Sequence, residues 1–328
     1  MQDNITMQGL ILLNPGKLKL NNIPIPALKP GHKLLKVTHC ALCCTDAKMW
    51  KYGQRDLITP RILGHEICTI DQLTGQRYII WPGVSCKNCT YCQNNAENMC
   101  NKIQIIGFNY DGGLAEFILS PEECLIPLDE SLSEDIACLA EPLACAINAL
   151  TLSNISANEN VLIYGAGPLG LMTALLTKHY KANPFIEEIN KDKFELSSEF
   201  RSTLNIEKAS KYPDLKYDLV INATSSPESF TDGIKKLKKL GRFNIFSGLI
   251  PSNSTIPASL INEIHYKQLN IKGAYGCTKA QMEKALQIIN IHKEDFKKLI
   301  TNEITLKVVD TGFNKILSGK SLKIIVKI

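Results

Sequence analysis

The sequence predicts an α/β protein of two domains, and three observations carry that prediction. Beyond Asn160, short apolar runs alternate with helical stretches, the pattern of a doubly wound parallel sheet. Before about Leu150 the chain is rich in Pro and Gly and its strand-like runs are short, which points to an irregular, mostly β domain. The length of 328 residues suits two domains of roughly 150 residues each, enough to bury a core without covalent staples.

Taken in order, Leu34–Val37, Arg77–Trp81 and Ala115–Leu119 read as strands bounded by turn residues. Val161–Tyr164 is a short apolar strand, followed by a glycine turn and a helix to about Tyr180. A second strand is expected at Pro184–Ile186, and further strands at Leu219–Ile221, Phe243–Phe246 and Leu269–Ile271. Lys235–Leu240 reads as helix, its leucines turned inward and its lysines in solvent. Thr278-x-x-Gln281 has the form of a capping box, and Met282, Ala285, Leu286 and Ile289 then recur at helical spacing. Leu322–Val326 is a last strand whose partners periodicity does not reveal. The mostly β domain is expected to comprise residues 1–151 and 275–328. The parallel-sheet domain is expected at 152–274, entered through the polar stretch Asn154–Asn158.

Composition narrows the function classes. Hydrophobic residues at 45% and charged residues at 21% exclude disorder, collagen and coiled coil. Thirty-seven basic against thirty-two acidic residues leave +5, too dilute to call for a nucleic-acid partner. Met1–Thr6 holds no basic residue, and the apolar run Leu10–Leu13 stops at Asn14-Pro15-Gly16. No signal peptide or membrane span is expected, and the chain is read as cytoplasmic.

Twelve cysteines are many for such a protein, where clustered thiols more often hold metal than form disulfides. Cys86-x2-Cys89-x2-Cys92-x7-Cys100 can wrap one Zn²⁺ tetrahedrally and leave no open position, which makes that site structural. The spacings miss the usual ferredoxin runs, and no basic recognition helix follows. A second, dispersed set comprises Cys43-Cys44-Thr45-Asp46, Gly64-His65-Glu66 and Glu141-Pro142. A thiolate, an imidazole and a carboxylate suit zinc with a fourth position left open, the form of a catalytic site. Gly165-Ala166-Gly167-Pro168-Leu169-Gly170 follows a strand and opens a helix, as a dinucleotide-binding fingerprint requires. An acidic residue should close the next strand to hold the ribose hydroxyls, and Glu187 and Glu188 both stand there. Cys40, Cys68, Cys124, Cys138, Cys145 and Cys277 are expected to be free and buried.

The order of these pieces resembles the zinc-containing medium-chain alcohol dehydrogenases nearly end to end. It includes Ile62-Leu63-Gly64-His65-Glu66, Asp111-Gly112-Gly113-Leu114-Ala115-Glu116 and Ala140-Glu141-Pro142-Leu143. Glu141, where ethanol-type members have Cys, is similar to the polyol branch that includes sorbitol and threonine dehydrogenases. The resemblance implies a GroES-like catalytic domain and a Rossmann nucleotide domain. It implies Cys43 and His65 as ligands of a catalytic zinc, with Glu66 and Glu141 competing for the remaining position. The frame set by Thr45-Asp46 favours Cys43 over Cys44, and Asp46 is the natural partner of a ligating His. Thr45 matches the hydroxyl that takes the alcohol proton. Three positions later many members have His where this chain has Lys48, a departure that bears on the outer relay and not on hydride transfer. The family's acidic–x4–basic pattern favours Glu188 with Lys193, and Ala223-Thr224 match the strand end over the cofactor.

These readings imply two zinc ions per chain, NAD rather than NADP, and a homodimer or homotetramer. The expected substrate is a small alcohol, with no nucleic acid and no membrane as partner. The expected reaction is reversible oxidation of a secondary alcohol in a polyol, cyclitol, amino-cyclitol or hydroxy amino acid. Its rivals are an ethanol- or cinnamyl-type dehydrogenase acting on primary alcohols and aldehydes, and a catalytically silent nucleotide-binding relative.

Overall fold

The computed structural model describes residues 6–55, 57–249 and 255–328. Residues 1–5, whose composition argued against a leader, lie outside the described residues. The chain divides into two compact units, Met1–Glu141 with Cys277–Ile328, and Pro142–Gly276.

The first unit is built on strand His32–Leu42. Its early half alternates, with Leu35 and Val37 fully buried, and its last three residues, Cys40, Ala41 and Leu42, are all buried. The change follows from pairing: this end is flanked by Glu66–Ile70 on one side and Lys323–Lys327 on the other, both antiparallel. Around it the sheet runs Leu125–Pro127, Arg77–Ile80, Glu66–Ile70, His32–Leu42, Lys323–Lys327, Ile300–Thr305, with Phe117–Pro121 also on His32–Leu42. The final strand thus lies inside the sheet, parallel to Ile300–Thr305. A smaller sheet joins Lys17–Pro24, Thr6–Asn14 and Arg61–Ile62, and a short ribbon pairs Gly83–Val84 with Gln104–Ile105 around the four-cysteine segment. Where the chain re-enters this unit, the Trp81 indole N–H donates to the Cys277 carbonyl at 2.9 Å. The capping box follows: Thr278 Oγ1 accepts from Gln281 N and Gln281 Oε1 from Thr278 N, and Met282, Ala285, Leu286 and Ile289 are buried.

The second unit is a six-stranded parallel sheet. Its order is Glu207–Lys208, Asn183–Glu187, Asn160–Tyr164, Tyr217–Asn222, Leu237–Ile245, Asn270–Gly273. Parallel strands need crossovers, so their faces are covered and their sequences read as apolar runs such as Val161-Leu162-Ile163. Order reverses beside Asn160–Tyr164, the arrangement that opens a ligand crevice at the carboxyl ends of the central strands. Leu162, Val220, Phe243 and Leu260 form much of the core on one face.

Two readings of local structure need correction. The helix Pro227–Lys236 ends before Leu237, which is buried as the first residue of a strand opposite Tyr217. Register then slips, Leu240 adopts φ 62°, and its side chain is 70% exposed and not turned inward. Helical spacing missed this because a bulged strand can begin with the same apolar period. The second difference is the unit boundary, which falls inside helix Ala140–Leu152 and not after it. That helix is fastened to the parallel sheet: Asn244 Nδ2 donates to Ala149 O and Ser153 Oγ, and Arg242 Nη1 donates to the carbonyls of Ser153 and Asn154. The polar stretch Asn154–Asn158 is therefore an internal turn of the second unit, not a linker. The helical run Glu134–Leu152 is apolar and long enough to cross a membrane, but 78% of its window is buried within the protein, as in a core helix.

Asn244 tests this fastening. Asn244→Ala removes two buried hydrogen bonds, to Ala149 O and Ser153 Oγ, and we expect a loss of about 2 kcal/mol, read as a lower urea midpoint.

Candidate active site

Strand His32–Leu42 delivers Cys43 to the N-cap of helix Cys44–Tyr52, where the cysteine plays the part usually taken by Ser or Thr. Cys43 Sγ accepts from Thr45 N at 3.4 Å, and Asp46 Oδ2 accepts from Cys43 N at 3.1 Å. Cys44, one residue on, is exposed, so the cap decides between the two thiols.

Asp46 also reaches the neighbouring loop. Its Oδ1 lies 3.1 Å from His65 Nδ1 and accepts from Gly64 N at 3.4 Å. With Nδ1–H donated to a carboxylate, the other ring nitrogen is left as a lone-pair donor. Burial opposes the imidazolium, but Asp46 and then Cys43 together outweigh it and raise His65 well above its ordinary value. Gly64 has φ +97°, and a Cβ there would stand 2.7 Å from Cys40 Sγ. The turn that aims His65 therefore requires glycine.

Cys43, His65 and Glu66 each offer a ligand atom, all within 4.8 Å of one another. Glu66 is fully buried, and burial pushes its carboxyl up to about 7, with Lys323 pulling against that and Glu141 adding to it. The structure groups Glu66 with the thiol and imidazole. Glu141 is half-buried near the start of helix Ala140–Leu152, close enough to act on Glu66, and its carboxylate lies within 4.8 Å of Cys277 Sγ. Thr45 is half-buried on the first turn beside Cys43, whereas Lys48 is exposed.

The sulfurs of Cys86, Cys89, Cys92 and Cys100 also lie within 4.8 Å of one another, with Cys89 and Cys92 only 3.5 Å apart. Backbone N–H groups point at them: Cys100 Sγ accepts from Cys86 N and Lys102 N, both at 3.3 Å. The N–H groups of Cys92 and Asn101 bring Cys89 down to about 6, while burial lifts Cys92 to about 11. Four converging thiols with this pattern suit one tetrahedral cation.

In the parallel-sheet unit the glycine fingerprint closes strand Asn160–Tyr164. Gly165 has φ +103°, and a Cβ on Gly170 would lie 2.0 Å from the Gly165 carbonyl. Gly167 is the N-cap of helix Pro168–His179, with Pro168 at its first position and Leu169 next, so free N–H groups face the loop. Glu188, not Glu187, turns to that loop. Its Oε2 accepts from Ala166 N and its Oε1 from Asn190 N, each at 3.0 Å, with Lys193 Nζ 3.4 Å away. Burial opposes the Glu188 carboxylate, but these donors hold it below its ordinary value. Glu187 contributes its backbone carbonyl, which accepts from Gly165 N. Ala223 N donates to Tyr164 O, and Thr224 is held by Asn222 against Gly165.

Residues 29–130 match the alcohol dehydrogenase GroES-like domain. D-xylulose reductase A of Aspergillus oryzae is 26% identical over 98% of this chain and 97% of its own length. L-threonine 3-dehydrogenase of Chromobacterium violaceum is 26% identical over 95% and 96%. The fold is that of L-idonate 5-dehydrogenase from Escherichia coli, at TM-score 0.87, 18% identity and 99% of both chains. Residues 29–130 thus belong to the GroES-like domain family, and nearly the whole chain is similar to dehydrogenases of this kind. Cys43, His65 and Glu66 converge in the first unit, the four cysteines form a separate cluster there, and the glycine fingerprint lies in the second unit.

Sequence reasoning missed Lys323, which is 4% exposed and pairs with Glu66. The available signal was a single Lys in the apolar run Leu322–Val326. Of the six cysteines expected to be buried, Cys145 is half-buried and the other five are buried.

Metal analysis separates the two sets. We expect two zinc ions per chain in the dehydrogenase as purified. Cys89→Ser should lose one ion and much of the stability, because structural-site binding energy is folding energy. His65→Ala should lose the other ion, keep the fold and abolish turnover. A single ion in the wild-type chain would contradict this assignment.

Proposed function

We propose that the protein reversibly oxidises a secondary alcohol of a small polyol, cyclitol, amino-cyclitol or hydroxy amino acid, with NAD as hydride acceptor. The observation that carries this reading is the convergence of Cys43, His65 and Glu66, with Asp46 fixing the imidazole. That donor set fits one zinc and leaves room for a further ligand. The relatives support the substrate class: D-xylulose reductase and L-threonine 3-dehydrogenase are named for a ketose and for a secondary hydroxyl. Glu141 in place of the ethanol-type Cys supports the same branch.

A zinc ion bound there would supply Lewis-acid polarisation of the substrate oxygen, and the nicotinamide would take the hydride. The chain's own residues supply orientation and a proton path. Asp46 keeps His65 in one tautomer, and Cys43 is presented by its helix cap. Glu66 stands as the third donor, while Glu141 is placed to hydrogen-bond a ligand at the remaining position. Thr45 is the hydroxyl that accepts the alcohol proton, and exposed Lys48 influences the outer path only. Gly165, Gly167, Pro168, Leu169 and Gly170 receive the pyrophosphate at the helix N-terminus, with Glu188 on the ribose and Lys193, Ala223 and Thr224 around it. The four-cysteine lobe holds a structural zinc. This reading extends to a homodimer or homotetramer in the cytoplasm, and light scattering tests the assembly.

An NAD-coupled panel of polyols, inositols, amino-cyclitols and threonine, followed by NADH formation, tests the substrate class. Turnover confined to primary alcohols would overturn it. We expect kcat/KM to favour NAD over NADP by at least about tenfold, or about 1.4 kcal/mol, because Glu188 repels a 2′-phosphate. Glu188→Ser should erode that preference chiefly by improving use of NADP, whereas Glu187→Ser should not.

The proton path has its own test. Thr45→Ala should slow hydride transfer far more than Thr45→Ser, and Lys48→Ala should alter mainly the pH profile. Equal rates for the two Thr45 variants would reject this route.

A further inference from the structure

Lys323 is 4% exposed and Glu66 is fully buried. The Lys323 ammonium lies 2.5 Å from both Glu66 oxygens, with the Leu42 carbonyl at 3.5 Å. Register explains how residues so far apart in sequence meet. Ala41 of the middle strand faces Glu66 on one side and Ile325 on the other. Lys323 is two residues before Ile325 and so shares its face of the sheet, together with Ala41 and Glu66. Its stem crosses the end of the middle strand to reach the carboxylate.

Such a pair is a poor device for stability, because removing two charges from water costs about what their attraction returns. Its place gives it another use. Glu66 directly follows His65, and its ligand atom lies within 4.8 Å of those of Cys43 and His65. A carboxylate crowded by other acidic groups would turn away unless a cation held it.

We propose that Lys323 is a positioning residue of the metal centre: by bonding both oxygens of Glu66 it fixes that carboxylate as the third donor beside Cys43 and His65. The inference rests on the reading that this trio holds the catalytic metal. Lys323 itself touches neither metal nor substrate. It acts through Glu66 alone, so its whole effect on the site should vanish when Glu66 can no longer be a carboxylate.

The test uses the full-length protein, with Lys323→Met, Lys323→Arg, Glu66→Gln and the double variant Lys323→Met/Glu66→Gln. Zinc affinity is measured by chelator competition with metal counting, and the site is loaded with Co²⁺ for its visible spectrum. We expect Lys323→Met to weaken this site about tenfold or more and to shift the cobalt bands, the lobe ion being retained, and Lys323→Arg to remain within about threefold of wild type. In the Glu66→Gln background, Lys323→Met should weaken binding no further. Wild-type affinity and an unchanged cobalt spectrum in Lys323→Met would overturn the proposal, as would additive losses in the double variant. If Lys323→Met alone does not fold, Glu66→Gln and the double variant, which lacks the unpaired charge, decide by the same comparison. A wild-type chain that takes up only the lobe ion defeats the dehydrogenase reading itself. Two ions with a site insensitive to Lys323 defeats this inference alone.

Discussion

The catalytic lobe turns on one buried carboxylate. Asp46 has no exposed surface, and it ties the Cys43 backbone and the Gly64-His65 loop to the first turn of one helix. A buried carboxylate persists only if its oxygens are met by donors, and here the donors are the elements that carry the reactive side chains. The same bonds that satisfy Asp46 therefore set the distance between thiol and imidazole. Glycine at 64 follows from this, because the loop must pass close to Cys40 to reach Asp46.

The parallel-sheet unit solves a comparable problem with backbone instead of side chain. The sharp turn at Gly165 and the close pass of Gly170 bring the helix start next to the strand end. Glu188 then bonds Ala166 N across that turn, so the residue proposed to meet a ribose also holds the loop proposed to meet the phosphates. A change at Glu188 consequently acts on the glycine loop as well as on its own strand end.

The features legible in the sequence were those fixed by local geometry. Glycines that must take positive φ, cysteines at metal spacing and the Thr278 capping box all declare themselves within a few residues. Glu188 could be placed only to within one residue, since strand length decides which carboxylate faces the loop. Leu240 and the boundary within helix Ala140–Leu152 were misread because tertiary contacts, through Tyr217 and Asn244, override the local period. Lys323 was invisible for a simpler reason: its meaning lies wholly in a partner 257 residues earlier.

The discontinuity of the first unit has a consequence for how the protein is made. Strand Lys323–Lys327 fills an interior place in a sheet whose other central strands are translated before the whole parallel-sheet unit. Until the last strand arrives, the buried end of His32–Leu42 has an open hydrogen-bonding edge, the kind of surface that pairs with other chains. The nascent chain thus carries this open edge through most of synthesis, while the parallel-sheet unit is one contiguous stretch that can close earlier.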